Sequence, residues 1–201
     1  MSGSKKSGWF LAVGLGLAVG LGCLLVALVF VLRPARIPVT AEPSAPVSLG
    51  WVRLGQEVEV HGVVPAAGQH DGATEPAEIG GVECHALKSF KKSPELFAYF
   101  RIDPAIKQRI TNAVQIEVVY FDADKNGHFR LDYDSHDGTV SNQAYTQSKE
   151  FVRMKGTQQW RKARFVLDNL RLEGRQNDKA DFRVVAANRQ FFLRSVSVIQ
   201  E

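Results

Sequence analysis

Hydrophobic and polar positions follow two different rules along this chain, and the change comes near residue 50. From Trp9 to Leu32 there are 24 consecutive residues without a charged side chain. At ~1.5 Å of rise per residue that run makes about 36 Å of helix, enough to cross a hydrocarbon core of ~30 Å with some tilt. Helix is the conformation that lets one isolated segment satisfy its own backbone groups in lipid. Lys5 and Lys6 precede the run, and Arg33 and Arg36 close it. A cleaved signal peptide is the rival reading, with Val39-Thr40-Ala41 as its small-residue cleavage site. The run, however, far exceeds the ~7–15 residues of a signal core. Cys23 follows Gly22, but Gly20 stands where a lipid-attachment motif has leucine, so Cys23 reads as part of the span. Gly16 and Gly20 form one Gly-x-x-x-Gly pair, which occurs in helix contacts and equally in ordinary spans.

Residues 33–50 hold four of the eight prolines, at 34, 38, 43 and 46. Proline fixes φ and removes a donor, so the stretch is expected to be an extended, semi-rigid stalk. The expected organisation is a short cytoplasmic segment at 1–8, a transmembrane helix at 9–32, a stalk at 33–50 and a domain at 51–201.

From Trp51 onward the period shortens to two. Val114, Ile116, Val118 and Tyr120 line one face of a predicted strand. Phe129, Leu131 and Tyr133 alternate with Arg130, Asp132 and Asp134. Ala163, Phe165 and Leu167 alternate with Lys162, Arg164 and Val166. Shorter candidates are Val58/Val60, Val82/Cys84/Ala86, Ala98/Phe100/Ile102, Phe182/Val184 and the stretch 191–199. Such alternation marks strands with one buried and one wet face. Turn signals separate them: Asp-Lys-Asn-Gly at 124–127, Asp-Gly at 71–72 and 137–138, and Lys-Gly-Thr at 155–157. No proline follows Pro104, as suits paired strands, and a helical turn is expected only around 104–110. About eight strands without alternating helices exclude a parallel α/β sheet. The fold class is mainly β, an antiparallel β-sandwich of jelly-roll type behind a single transmembrane helix.

Charge changes the picture little. The chain carries 25 basic and 21 acidic side chains, and two of the basic ones are Lys5 and Lys6. The rest of the chain is therefore close to neutral, which excludes a nucleic-acid binder dependent on a broad basic face.

The segments IEVVYFDADKNGHFRLDYDS (116–135) and GTQQWRKARFVLDNLRLEGRQNDKADFRVV (156–185) resemble the C-terminal half of bacterial galactose-binding-like, carbohydrate-binding-module-like jelly rolls. DGATEPAEIGGVECHAL (71–87) is similar to the start of the same domain, more loosely. Leu172 departs from the pattern, which has an aromatic there. The resemblance implies a non-catalytic binding module at the cell envelope with a glycan ligand, and a C-terminal domain outside the cytoplasm. The different-class alternative is a structural or protein-interaction subunit of an envelope complex.

Candidate chemistry is sparse. Asp122-Ala-Asp-Lys-Asn-Gly127 starts like a calcium loop, but its twelfth position is Tyr133 where a bidentate glutamate is needed, so it reads as a hairpin turn. No cofactor is expected; the resembling class often carries a structural calcium, which leaves one elsewhere in the sandwich open. Histidines 61, 70, 85, 128 and 136 show no paired spacing, and Cys84 reads as a small core residue. Nucleophile-elbow, phosphate-loop and HExxH motifs are missing, so no enzyme is expected. Asp132 and Asp134 fall on one strand face, as glycosidase acids do, yet beside Arg130 they read as a solvated face. Trp160 opens an amphipathic strand and reads as core. Tyr145, Arg175 and Asn177 are the candidate carbohydrate-binding residues: an aromatic platform with polar side chains from a loop suits the C–H faces and hydroxyls of a sugar. The bland reading of the same loop is a turn at Asn177 followed by an Asp181–Arg183 pair.

Overall fold

The period-two segments do form strands, and their apolar faces meet. In the computed structural model, which describes residues 47–66, 71–90, 93–111 and 113–200, the strands are β1 (Val47–Arg53), β2 (Glu59–His61), β3 (Val63–Ala66), β4 (Thr74–Ile79), β5 (Val82–Leu87), β6 (Leu96–Ile102), β7 (Val114–Phe121), β8 (His128–Tyr133), β9 (Thr146–Gln147), β10 (Val152–Arg153), β11 (Trp160–Leu167), β12 (Phe182–Ala187) and β13 (Phe192–Gln200). One sheet runs β11-β7-β13-β1-β2, with β5 on β13 and β4 on β5; the other runs β10-β8-β12-β6-β3, with β9 on β8. The named strands pair antiparallel throughout. From β5 to β8 and again from β11 to β13, each successive strand crosses to the opposite sheet. A two-layer antiparallel sandwich is the result.

Between the layers lies one aliphatic and aromatic core. Val114, Ile116, Val118 and Tyr120 of β7, with Phe165 and Leu167 of β11 and Val196 and Val198 of β13 beside them in the same sheet, pack against Phe129 and Leu131 of β8 in the other, all buried. Phe129 is its hub: its ring centre lies 4.7 Å from Tyr120, 4.9 Å from Phe191 and 5.6 Å from Phe165. The expected helical turn is the short helix α1 (Pro104–Lys107), with proline in its first turn and Asp103 accepting from the Ala105 N–H.

Four sequence expectations change. Strand β1 begins at Val47, four residues inside the segment read as stalk, because Val47 and its successors pair with β13. Val58 and Val60 are exposed, since β2 is a sheet edge reached only through the Arg53–Glu59 and Val52–Val60 pairs. The turn between β4 and β5 is Gly80-Gly81, both at positive φ, a hairpin pair that the Asp-Gly and Lys-Gly signals did not include. Strand β6 is buried on both faces: Phe97 and Tyr99 join Ala66, Ala180 and Val185 in a second apolar cluster on the outside of its sheet, with Tyr145 packed against it. The expected transmembrane helix at 9–32, the flanking 1–8 and the stalk to residue 46 lie outside the described residues, as do His70, Lys91 and Lys92. Among the described residues no helix is long and apolar enough to cross a membrane.

Candidate functional site

The expected ligand residues lie on segments between strands, Tyr145 in Gln143–Tyr145 and Arg175 and Asn177 before and at the start of Asn177–Lys179. Pairing of β12 with β6 and β8 sets Arg183 between Tyr99 and Asp132 on the outer sheet face. The Asp132 carboxylate accepts from Arg130 Nε at 2.9 Å, and from Arg183 Nε at 3.0 Å and Nη2 at 2.7 Å. Arg183 Nη1 donates to the Tyr99 hydroxyl at 2.8 Å. Its guanidinium lies 4.4 Å from the Phe97 ring centre and 4.3 Å from that of Tyr145, a cation held between two rings. Burial pushes the Tyr99 hydroxyl above its ordinary pKa against the opposing pull of Arg183.

Tyr145 sits in the single-turn 3₁₀ helix Gln143–Tyr145, and Asn177 opens another, Asn177–Lys179. The two residues are brought together: the Tyr145 hydroxyl accepts from the Asn177 backbone N–H at 3.0 Å and donates to Asn177 Oδ1 at 3.2 Å. Asn177 Nδ2 then donates to Asp71 at 2.7 Å, and Asp71 also accepts from the Tyr99 hydroxyl at 3.1 Å. Arg175 is placed differently. Its Nε donates to Asp134 Oδ1 at 2.8 Å and its Nη2 to the Ser135 carbonyl at 3.0 Å. Asp134 is fully buried, and its other oxygen accepts from the Glu173 N–H. Arg175 therefore ties the 171–176 loop to β8, while Tyr145 and Asn177 form one hydrogen-bonded unit.

Beside Tyr145 opens a hollow of about 620 Å³, between the 137–149 segment and residues 168–169. Asn142, Gln147 and Asn169 line it, exposed, and their side-chain amides hold no hydrogen bond within the described protein. Its floor includes Tyr133, whose hydroxyl donates to Asp168 at 3.3 Å, while Lys149 Nζ reaches the other Asp168 oxygen. Burial, together with Asp168, raises the Tyr133 hydroxyl to about 12. The Lys149 contact holds the Asp168 carboxyl below its ordinary value.

The remaining candidates resolve into structural roles. Asp132 and Asp134 are not a solvated face: both are buried, and arginines neutralise each. Asp181 and Arg183 do not pair. Asp181 is buried and accepts from the Ile102 N–H at 2.8 Å and Lys107 Nζ at 2.7 Å, whereas Arg183 turns to Asp132. Asp122, first residue of the calcium-like run, accepts instead from the backbone N–H groups of Lys155, Gly156 and Thr157 and from the Thr157 hydroxyl. Among the described residues no group of three His, Cys, Asp or Glu side chains is arranged to hold a metal ion. Cys84 is buried, and burial raises its thiol to about 11. Trp160 is half-buried on the outer face of its sheet, packed edge-on to Phe121, and not in the core. Sequence reasoning missed Arg183 and Asp71 as parts of the Tyr145 unit. A basic residue in β12 gave a signal, but its partner became readable only through the β8–β12 register.

The chain is similar to several solved structures. One is the carbohydrate-binding module CBM6cm-2 from Cellvibrio mixtus lichenase 5A, solved with cellotriose: 10% identity over 77% of this chain and 99% of that one, TM-score 0.38. Another is the CBM22-1 xylan-binding domain from Paenibacillus barcinonensis Xyn10C, at 12% identity over 78% and 96%, TM-score 0.41. A third is a cleaved adhesin domain of Lys-gingipain from Porphyromonas gingivalis, at 13% identity over 77% and 96%, TM-score 0.34. No family model and no curated protein matches the chain.

Proposed function

We propose that this protein is a non-catalytic carbohydrate-binding module, tethered to a membrane by residues 9–32 and displaying its sandwich at the cell envelope outside the cytoplasm. The observation that carries the ligand class is the hollow beside Tyr145, with the unpartnered amides of Asn142, Gln147 and Asn169 around it. An amide offers two donors and an acceptor, and a sugar hydroxyl needs both kinds of partner at once. A tyrosine ring supplies the apolar surface that a pyranose C–H face covers. In this reading Tyr145 and the three amides touch the sugar. Asn177 and Arg183 hold the Tyr145 ring, and Arg175 fixes the neighbouring loop. The tether rests on the 24-residue uncharged run, which supports a retained helix.

The intact chain, extracted in a mild detergent, is to be screened on a glycan array. Binding that falls at least about tenfold in Tyr145→Ala and in Asn169→Ala, with folding retained, supports the hollow as the site. Glycan binding indifferent to both changes removes the hollow from consideration. No glycan binding at all moves the function to the protein-interaction alternative.

A further inference from the structure

The second sheet carries its own arrangement on the face turned away from the core, on the opposite side of the sandwich from the Tyr145 sheet. Register places Trp160 opposite Phe121 and Phe121 opposite Phe192, so three adjacent strands, β11, β7 and β13, contribute one aromatic row. Ring centres are 5.4 Å apart for Trp160–Phe121 and 6.5 Å for Phe121–Phe192. All three rings are half-buried, which leaves apolar surface facing solvent.

Two and four residues further along β11, on the same face, stand Lys162 and Arg164. At about 3.4 Å per residue they lie roughly 7 and 14 Å from the aromatic row. Both contact one carboxylate, Glu117 of β7: Lys162 Nζ at 2.9 Å and Arg164 Nε at 3.0 Å. Burial alone would raise the Glu117 carboxyl, yet its bonds to Lys162 and Arg164 take it below its ordinary value, so it stays ionised. Two cations thus share one anion and leave a net positive charge. Their side chains are 67% and 55% exposed, and both Nη groups of Arg164 have no acceptor within the described protein. Glu117 neutralises only part of the charge on two solvent-facing donors.

We propose that this face is a second binding surface, separate from the hollow at Tyr145, for an anionic polysaccharide of the uronate type. The sugar's C–H faces lie on the aromatic row, and its carboxylates are received by Lys162 and Arg164. The alternatives fit less well. A polyphosphate strand needs many cations to displace its counterions, and beyond Lys6 the chain is near neutral, with 23 basic against 21 acidic side chains. A second copy pairing edge to edge through β11, centred on Ala163 or Arg164, sets cation opposite cation.

Affinity electrophoresis of the intact chain in a non-ionic detergent tests this, with polygalacturonate, neutral xylan or poly(dT) embedded in the gel. Polygalacturonate is expected to retard the protein, and the double variant Lys162→Gln/Arg164→Gln to weaken that binding about tenfold or more. Glu117→Gln, which removes the counter-charge while keeping an acceptor, is expected to strengthen it several-fold, so the sign of the effect does not depend on a variant that merely misfolds. Tyr145→Ala is expected to leave it unchanged, which separates this surface from the hollow whatever becomes of the latter. The proposal is overturned if polygalacturonate causes no retardation, if the double variant is retarded like the parent, or if Glu117→Gln weakens binding. It is equally overturned if poly(dT) binds through the same residues.

Discussion

Four aspartates, Asp122, Asp132, Asp134 and Asp181, are exposed by 1% or less, and each is held by charged or backbone donors that tie distant segments together. Asp181 joins the entry to β12 with α1 through Lys107 and with β6 through the Ile102 N–H. Removing its carboxylate leaves the buried Ile102 N–H without its acceptor and Lys107, whose side chain is 28% exposed, without its counter-charge, at about 1–3 kcal/mol. Asp181→Ala is therefore expected to lower the denaturation free energy by that order in a guanidinium titration, and a loss under 1 kcal/mol would show the pair to be dispensable. Arg175 reverses an expectation. As a loop arginine reaching for a sugar it is expected to be thermally silent when replaced; as the charged partner of fully buried Asp134 it is not. Arg175→Ala is expected to lower Tm clearly, and Arg175→Lys to recover only part, because one ammonium cannot reproduce the contacts to both Asp134 and the Ser135 carbonyl. An unchanged Tm for Arg175→Ala would mean that the Glu173 N–H and water suffice for Asp134. None of these partnerships was legible in the sequence. Asp181 and Arg183 are two apart in sequence and look like a pair, but the strand begins only at Phe182, and Asp181 points into the protein before it.

At the scale of elements, legibility tracked how many faces of a strand are covered. Strands β7, β8 and β11 have one buried and one open or salt-bridged face, and their alternation shows in Val114–Tyr120, Phe129–Tyr133 and Phe165–Leu167. Strand β6 reads Leu-Phe-Ala-Tyr-Phe because loop residues cover its outer face too; period two fades when both faces are buried. Strand β2 failed for the opposite reason: as an edge it covers little, so Val58 and Val60 stay exposed despite their apolar character. Expected site residues showed the same limit, since Tyr145, Arg175 and Asn177 could be named together from residue type alone, whereas the ring–cation–ring stack of Phe97, Arg183 and Tyr145 is built by strand register. That stack makes a graded prediction. Tyr145→Phe keeps the ring over Arg183 and loses the hydroxyl bonds to Asn177, an expected cost of about 1 kcal/mol. Tyr145→Ala also uncovers Arg183 and the second apolar cluster, an expected cost of about 2 kcal/mol or more. Equal costs for the two variants in urea titrations would mean that the ring contributes nothing and the hydroxyl alone holds the loop.

For the molecule as a whole, the buried ionisable groups set a stability window in pH. Burial alone would raise Glu117 and Asp122, but Lys162 and Arg164 for the first, and Thr157, Lys155 and Gly156 for the second, bring both below their ordinary values. Asp168 is lowered first of all by Lys149. A carboxyl with a depressed folded pKa contributes stability that is present above its unfolded pKa and is lost as pH falls through the folded one. Asp181 has the opposite sign: burial raises it, so its term is full below the unfolded pKa and fades as pH rises through the folded value. With Asp137, lowered by the Thr139 hydroxyl and N–H, the depressed carboxyls number four against one raised, which gives a net loss of stability on acidification below about pH 4. At the alkaline end Cys84, raised by burial from 9.0 to about 11, and Tyr133, raised from 10.0 to about 12, each favour the folded state while protonated. Their contribution is complete below the unfolded values and shrinks as the unfolded chain begins to ionise, so stability falls again above about pH 9. Guanidinium midpoints measured from pH 3 to pH 11 are therefore expected to form a plateau between about pH 5 and 8 with a decline on each side. Two variants identify the groups responsible. Asp122→Asn is expected to flatten the acid limb, since it removes one depressed carboxyl, and Cys84→Ala the onset of the alkaline limb. A profile in which both variants keep the parent's slopes would place the titrating groups elsewhere in the fold. A midpoint that rises toward pH 3 would show Asp181 outweighing the depressed carboxyls.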